Sequence, residues 1–156
     1  LKAAQYELVE AQSLKILAVS PRDSDVRVSL ARAYREQNRL DDALDAVESV
    51  IAESPTLASA RVVAGQIYLS QGRFVEADEA FRVAAETTDG DHSLFYYWGK
   101  TLALLGLVEL ALEKYEKSVE LDPYDADVYE AWGNALKSLG RFAEAAEVYR
   151  RASEYV

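Results

Sequence analysis

Along its whole length the chain alternates amphipathic runs with short turns built from small, polar or proline residues. Near the end, Tyr129, Trp132, Gly133 and Leu136 fall on one helical stripe, and after a Gly140-Arg141 turn, Phe142, Ala145, Ala146 and Tyr149 fall on a second. Two such helices joined by a tight turn make one hairpin, and this hairpin recurs. Gly133, Gly140, Ala145, Tyr149 and Ala152 are preceded, thirty-four residues earlier, by Gly99, Gly106, Ala111, Tyr115 and Ser118. The same step again returns Gly65, Gly72, Ala77, Phe81 and Ala84, and a third gives Ala31, Asn38, Ala43, Val47 and Val50, weaker in letters but still in register. Pro21, Pro55 and Pro123 obey the same ruler, with Asp89 where the missing proline would stand. A fixed period of this size, held without insertion or deletion, is the mark of stacked helical hairpins, because one hairpin cannot bury its apolar stripe alone.

The pattern predicts helices over 5–20, then pairs over 25–37 with 41–54, 58–71 with 74–88, 92–105 with 108–121, and 126–139 with 142–155. In the first helix Tyr6, Val9, Ile16 and Leu17 are expected to face inward. Leu30, Ala31, Tyr34, Leu40, Ala43, Val47 and Ile51 form the expected core of the next hairpin, and Ala64, Gly65, Tyr68, Phe74, Ala77, Phe81 and Ala84 that of the one after it. Gly99 and Gly133 lie inside helices, where glycine costs about 1 kcal/mol relative to alanine, so their reason is close helix approach. Asp23 or Ser24, Asp91 and Asp125 stand where helix N-caps are needed. The connection Thr87-Thr88-Asp89-Gly90-Asp91 lacks proline and holds the one glycine between repeats, which makes it the loosest expected joint.

These residues resemble the tetratricopeptide repeat family, whose loose pattern runs aromatic, Leu-Gly-like pair, Tyr, then Ala, aromatic, Ala and Pro. Tyr129, Trp132, Gly133, Leu136, Ala145, Tyr149 and Ala152 fill it in the last copy, and Phe95, Trp98, Gly99, Leu102, Ala111, Tyr115 and Pro123 in the copy before. The resemblance implies an all-α fold, a right-handed α-solenoid of stacked hairpins. It divides a single solenoid domain over 1–156 into a partial repeat at 1–23 and repeats at 24–57, 58–91, 92–125 and 126–156. Because the chain starts part-way through a repeat, it reads as an excerpt of something longer.

Composition narrows the chemistry. There are 156 residues, half of them hydrophobic and 28% charged, with no cysteine and a net charge of -10. That composition suits a packed helical protein and excludes disulfides and thiolate metal sites. No run of apolar residues is long enough for a membrane span. The single histidine, His92, has no second histidine or cysteine beside it and reads as solvated; no cofactor or metal is expected, and no spacing of Ser, Asp or Glu selects a catalytic group. The acidic balance disfavours nucleic acid and anionic lipid as partners. Glu76, Asp78, Glu79 and Glu109, Glu113, Glu116 read as solvated helix faces.

A non-enzymatic module for binding a protein or peptide is what remains. In the family that the residues resemble, the first helix of each hairpin lines a concave groove, and helical spacing assigns its open face. Val28, Arg32, Arg35 and Glu36 come from the first full copy, Val62, Val63, Gln66 and Leu69 from the second. Tyr96, Tyr97, Lys100 and Leu104 come from the third, and Glu130, Asn134, Lys137 and Ser138 from the fourth, with Asp25 and Asp127 also lining it. The expected anchor is Tyr96, Tyr97, Val62, Leu69 and Leu104, with Arg32, Arg35, Lys100 and Lys137 orienting polar or acidic groups around it. The carboxylate clamp of co-chaperone members is missing, because Val28 with Arg32 and Val62 with Gln66 replace its Lys and Asn. The asparagine ladder of the sugar-transferase branch is replaced by Ser29, Val63, Tyr97 and Ala131. In the third turn, Leu107 and Leu110 stand where other copies carry Arg39, Arg73 or Arg141 and Glu76 or Glu144. They read either as an exposed oligomer contact or as residues tucked into the hairpin end. A self-assembling scaffold forming homo-oligomers is therefore the alternative function, and the regulatory arm of a larger enzyme is a third.

Overall fold

The computed structural model describes residues 2–156, the Lys2 side chain excepted; Leu1, the first residue of the expected partial repeat, lies outside the described residues. Among the described residues there are nine helices and no strand: α1 (Lys2–Val19), α2 (Ser24–Glu36), α3 (Leu40–Glu53), α4 (Ala58–Ser70), α5 (Phe74–Ala85), α6 (His92–Leu104), α7 (Val108–Leu121), α8 (Ala126–Ser138) and α9 (Phe142–Tyr155). The expected boundaries hold to within about three residues. The aspartates act as caps: Asp23, Asp91 and Asp125 each accept a backbone N–H from the first turn of α2, α6 and α8. Helix α5 stops earlier than its expected end at residue 88. The Thr87 hydroxyl donates to the carbonyls of Ala84 and Thr56, both at 3.2 Å; the first is an acceptor that a further turn would have used, and the second ties the helix end to the α3–α4 connection.

Each hairpin closes in the same way. The turn residue has a left-handed backbone, with φ of 60° at Asn38, 74° at Gly72, 80° at Gly106 and 73° at Gly140. The N–H that follows it donates back to the first helix: Arg39 to Tyr34, Arg73 to Tyr68, Leu107 to Leu102 and Arg141 to Leu136, at 2.8–3.0 Å. Glycine carries that φ without a steric penalty, and asparagine is among the side chains that tolerate it. Three turns then add an ionic staple, Arg39–Asp42 at 2.8 Å, Arg73–Glu76 at 3.0 Å and Arg141–Glu144 at 2.6 Å. The third turn carries Leu107 and Leu110 at those two places, so it keeps the backbone bonds and has no such staple.

By their contacts the helices sort into two compact units, one ending at Thr87 and the other spanning Thr88–Val156. The division falls in the proline-free connection. In the first unit the core is Val28, Ala31, Ala43, Val47, Val50, Ala60, Val63, Ala64 and Ile67. Helix α1 packs on α2 with Tyr6, Val9 and Leu17 half-buried and Ser13 buried. Ile16, expected to face inward, is 47% exposed: it sits at the margin of that stripe, about 60° round the helix from the buried Ser13. The Glu10 carboxylate accepts from Gln37 at 3.0 Å and Arg39 at 2.9 Å and ties α1 to the α2–α3 turn. Those two hydrogen bonds hold its carboxyl below the ordinary range.

In the second unit the core runs through Leu102, Ala111, Leu112, Tyr115, Val119, Val128, Tyr129, Trp132, Leu136, Ala145 and Val148. Here too the stripe is not buried evenly. Phe142 is 67% exposed and Tyr149 37%, and Ala146 is exposed, although all three lie on the expected inward stripe. Tyr115, one period before Tyr149, is 2% exposed. Helix α8 packs against α7, whereas no helix packs on the far side of α9 among the described residues.

The helical glycines are explained by what sits over them. A Cβ at Gly65 would lie 2.6 Å from Phe81 and one at Gly99 2.6 Å from Tyr115, and at Gly133 it would collide with Tyr149. In each of these three hairpins the ring of the second helix occupies the space of the missing side chain. Phe81 and Tyr115 are locked in the core, but Tyr149 has solvent to swing into. Gly99→Ala should therefore destabilise the protein by about 1–3 kcal/mol through overpacking. Gly133→Ala should cost less, and part of its cost is offset by the roughly 1 kcal/mol gain in helix propensity. Denaturant melts of the two variants measure this; equal losses would show that a locked ring is not what makes glycine necessary.

Candidate functional site

The residues expected to line a groove behave differently in the two units. In the first, Val28 is 4%, Val62 2%, Val63 0% and Gln66 8% exposed, so they are packed between helices rather than spread along an open groove. The reason is that α2 and α4 pack directly on each other, and Val28 and Val63 belong to one core cluster. The Arg35 guanidinium donates to the Gln66 amide oxygen and to Glu36, which fixes the two helices polar edge to polar edge. Arg32 remains exposed and Leu69 is half-buried. Val62, expected in the anchor, and Val28, Val63 and Gln66, expected along the groove, are thus corrected: all four are buried.

In the second unit the corresponding positions stay accessible. Tyr96 and Tyr97, adjacent on α6, hold their rings 5.0 Å apart and tilted by 58°, both half-buried. The Lys100 ammonium lies 5.2 Å from the Tyr96 ring and 5.9 Å from the Tyr97 ring, within cation–π range of both. Burial, with Asp127 the largest of the nearby charges, pushes the Tyr96 phenol up to about 12, so it is a neutral donor throughout the physiological range. Across from α6, Asn134 and Lys137 of α8 are exposed and both engage Tyr149: its hydroxyl donates to the Asn134 amide oxygen at 3.2 Å, and the Lys137 ammonium lies 5.6 Å from its ring.

Between α6 and α8 runs an open cleft of about 350 Å³, lined by Lys100, Ala103, Leu104, Val108, Tyr115, Ala131, Asn134, Ala135 and Ser138. Its wall is mostly aliphatic and aromatic, and its polar groups stand at the rim. The expected Lys100, Leu104 and Asn134 all reach it. Ala103, Ala131 and Ala135 were not among the expected residues, yet their signal was present: on the repeat ruler Ala131 stands in register with Tyr97 and Val63, and the lost volume opens the space. Leu104 is 57% exposed, Leu107 47% and Leu110 45%. Leu107 and Leu110 are not tucked into the hairpin end.

His92 is less idle than its solitude in the sequence suggests. Its ring nitrogens lie 3.7 Å from Asp122 and 3.9 Å from Asp125, in the α7–α8 connection, and its carbonyl accepts from the Ser118 hydroxyl at 2.8 Å. Among the described residues no group of three or more His, Cys, Asp or Glu side chains is disposed to hold a metal ion, and no helix is long and apolar enough to cross a membrane.

Comparison with known proteins bears on the repeat directly. No curated protein matches the sequence. Among solved structures the chain is similar to the crystal structure of MamA, at 20% identity and a TM-score of 0.83 over 97% of this chain and 89% of that one. A second MamA structure, AMB-1, gives 22% identity and 0.75 over 99% and 91%. It is also similar to YrrB, a TPR protein described as having an unusual peptide-binding site, at 24% identity and 0.79 over 92% and 74%. At such identities these likenesses speak for the fold. A family model described as tetratricopeptide repeat matches residues 4–58, 28–92 and 64–126, and a second of the same description matches 126–155. With the period, the closed hairpins and the stacked helices in agreement, the chain is an all-α helical-repeat solenoid that belongs to the tetratricopeptide repeat family.

Proposed function

We propose that this protein-interaction scaffold is a non-enzymatic adaptor that holds a partner segment along the α6–α8 face, with Tyr96, Tyr97 and Leu104 as the anchor. The observation that carries this reading is the open apolar cleft beside two half-buried tyrosines that share one lysine. Tyrosines bring large contact area at low entropic cost, and an exposed leucine beside them loses water gladly on association. Lys100 orients an acidic or carbonyl group of the partner at the rim, and Asn134 supplies a polar contact from the other side. The peptide-binding site described for YrrB supports the class of partner. Losing a true anchor costs about 2 kcal/mol or more, so Tyr96→Ala with Tyr97→Ala should weaken binding of a partner captured from the native cell by at least roughly thirtyfold. Because Tyr96 also packs against the core, Leu104→Ala on the open surface is the companion variant, expected to weaken binding with the helical circular dichroism unchanged. Full affinity in both folded variants would move the site elsewhere.

A second reading, self-assembly, is favoured by the third turn. Leu104, Leu107 and Leu110 are each about half exposed, and the last two stand where the other turns present an arginine and an acid. If they join copies of the chain, sedimentation across a wide concentration range should show association that Leu107→Arg with Leu110→Glu abolishes. A monomer at every concentration, unchanged by the pair, removes this reading.

A further inference from the structure

The face of the second unit opposite the α6–α8 cleft carries a separate one. Between the second helices α7 and α9 lies a cleft of about 410 Å³. Its apolar lining is Leu112, Trp132, Leu136 and Val148, each 2–8% exposed. Around that floor stand Glu109, Glu113 and Glu116 on α7 and Glu144 and Glu147 on α9, against Arg141 and Arg151. The carboxylates are unequal. Arg141 spans the cleft mouth between Glu109 at 2.9 Å and Glu144 at 2.6 Å, and Glu147 is held by Arg150 at 2.7 Å. Glu113 and Glu116 are exposed and make no ion pair among the described residues. The cleft already seats a cation of its own, since the Arg151 guanidinium lies 5.3 Å from the Trp132 ring centroid.

From these features we infer that the α7–α9 cleft docks a basic segment of a protein partner, one that sets an apolar side chain on the Leu112–Trp132–Val148 floor and flanks it with lysine or arginine. Three facts select that occupant. Five glutamates outnumber the two arginines of the lining and the Arg150 that holds Glu147, which repels an acidic segment, and the two unpaired glutamates sit one helical turn apart, where a flanking cation from an extended or helical peptide reaches both. The floor is apolar and the volume suits one or two side chains, which a purely ionic ligand would leave wet. The chain's own guanidinium on Trp132 shows that this wall accepts a cation at close range. An anchor in an apolar pocket inside a charged rim is the anatomy of a specific contact. This inference uses a different face from the adaptor reading above and stands without it.

The test uses the whole 156-residue chain and a fluorescein-labelled probe peptide, Gly-Arg-Lys-Leu-Leu-Lys-Arg-Gly. Fluorescence anisotropy should show binding that falls by about tenfold or more in Glu113→Gln with Glu116→Gln. It should fall by no more than about twofold in the charge-matched control Glu7→Gln with Asp45→Asn, both in the first unit. Replacing both leucines of the peptide by serine should also abolish most of the binding. In a Trp98→Phe background the unlabelled peptide should protect Trp132 from acrylamide quenching, a readout that needs no change in the cleft. Equal losses in the cleft and control variants would reduce the effect to the diffuse field of an acidic protein and overturn the inference. So would full binding by the serine peptide, an unprotected Trp132, or no binding to the unaltered chain.

Discussion

The structure depends on one contact repeated down the chain, an aromatic ring of the second helix lying where the first helix has no side chain. Phe81 rests on Gly65, Tyr115 on Gly99 and Tyr149 on Gly133. Glycine is a poor helix residue and would be expensive there without a return. The return is a helix pair close enough for the ring to fill the crossing, held the same way in these three hairpins, while in α2–α3 the buried Ala31 and Val47 take the two places. Once it is fixed, consecutive first helices become neighbours, α2 with α4 and α6 with α8, and the second helices are displaced to the other side. Both clefts of the second unit follow from that arrangement, one between α6 and α8 and the other between α7 and α9.

What fills a given position of the repeat then decides whether the face is core or surface. Val62 and Tyr96 are one period apart, as are Val63 and Tyr97, yet the valines keep almost no exposed surface and the tyrosines are half-buried. A valine is short enough to be covered once α2 and α4 close on each other, helped by the Arg35–Gln66 bond. A tyrosine is too long to vanish in the same space, and opposite it α8 offers alanines at 131 and 135, so a cleft remains. The third turn shows the same logic. Exchanging the arginine-acid staple for Leu107 and Leu110 leaves the hairpin closed, because the left-handed Gly106 and the Leu107 N–H to Leu102 bond suffice, and frees two leucines for other use.

Most of the fold was legible in the sequence, because it is written in positions that local chemistry reads: the capping aspartates, the glycine or asparagine at each turn and the small residues at the crossings. The two compact units divide in sequence at Thr87–Thr88, within the connection that lacks proline and holds Gly90. The site was legible only in part. Helical spacing names the residues on a face but not how closely the next helix covers it, which is why Val62, Val63 and Gln66 were expected in the open and lie buried. The opposite error, burial expected for Ile16, Phe142 and Tyr149, has the same origin, since burial depends on what packs from outside the hairpin. The acidic cleft was hidden further still. Glu113, Trp132 and Val148 come from three helices, and in sequence Glu109, Glu113 and Glu116 read as an ordinary wet face.

The central claim is that a partner is held on the α6–α8 face, and amide hydrogen exchange on the complex with a captured partner tests it most directly. Slowed exchange is expected over the accessible first-helix segments, around Tyr96–Leu104 in α6 and Asn134–Ser138 in α8, with α2 and α4 unchanged. Protection confined to α2 and α4, or to α7 and α9, with α6 and α8 exchanging as in the free chain, would contradict it.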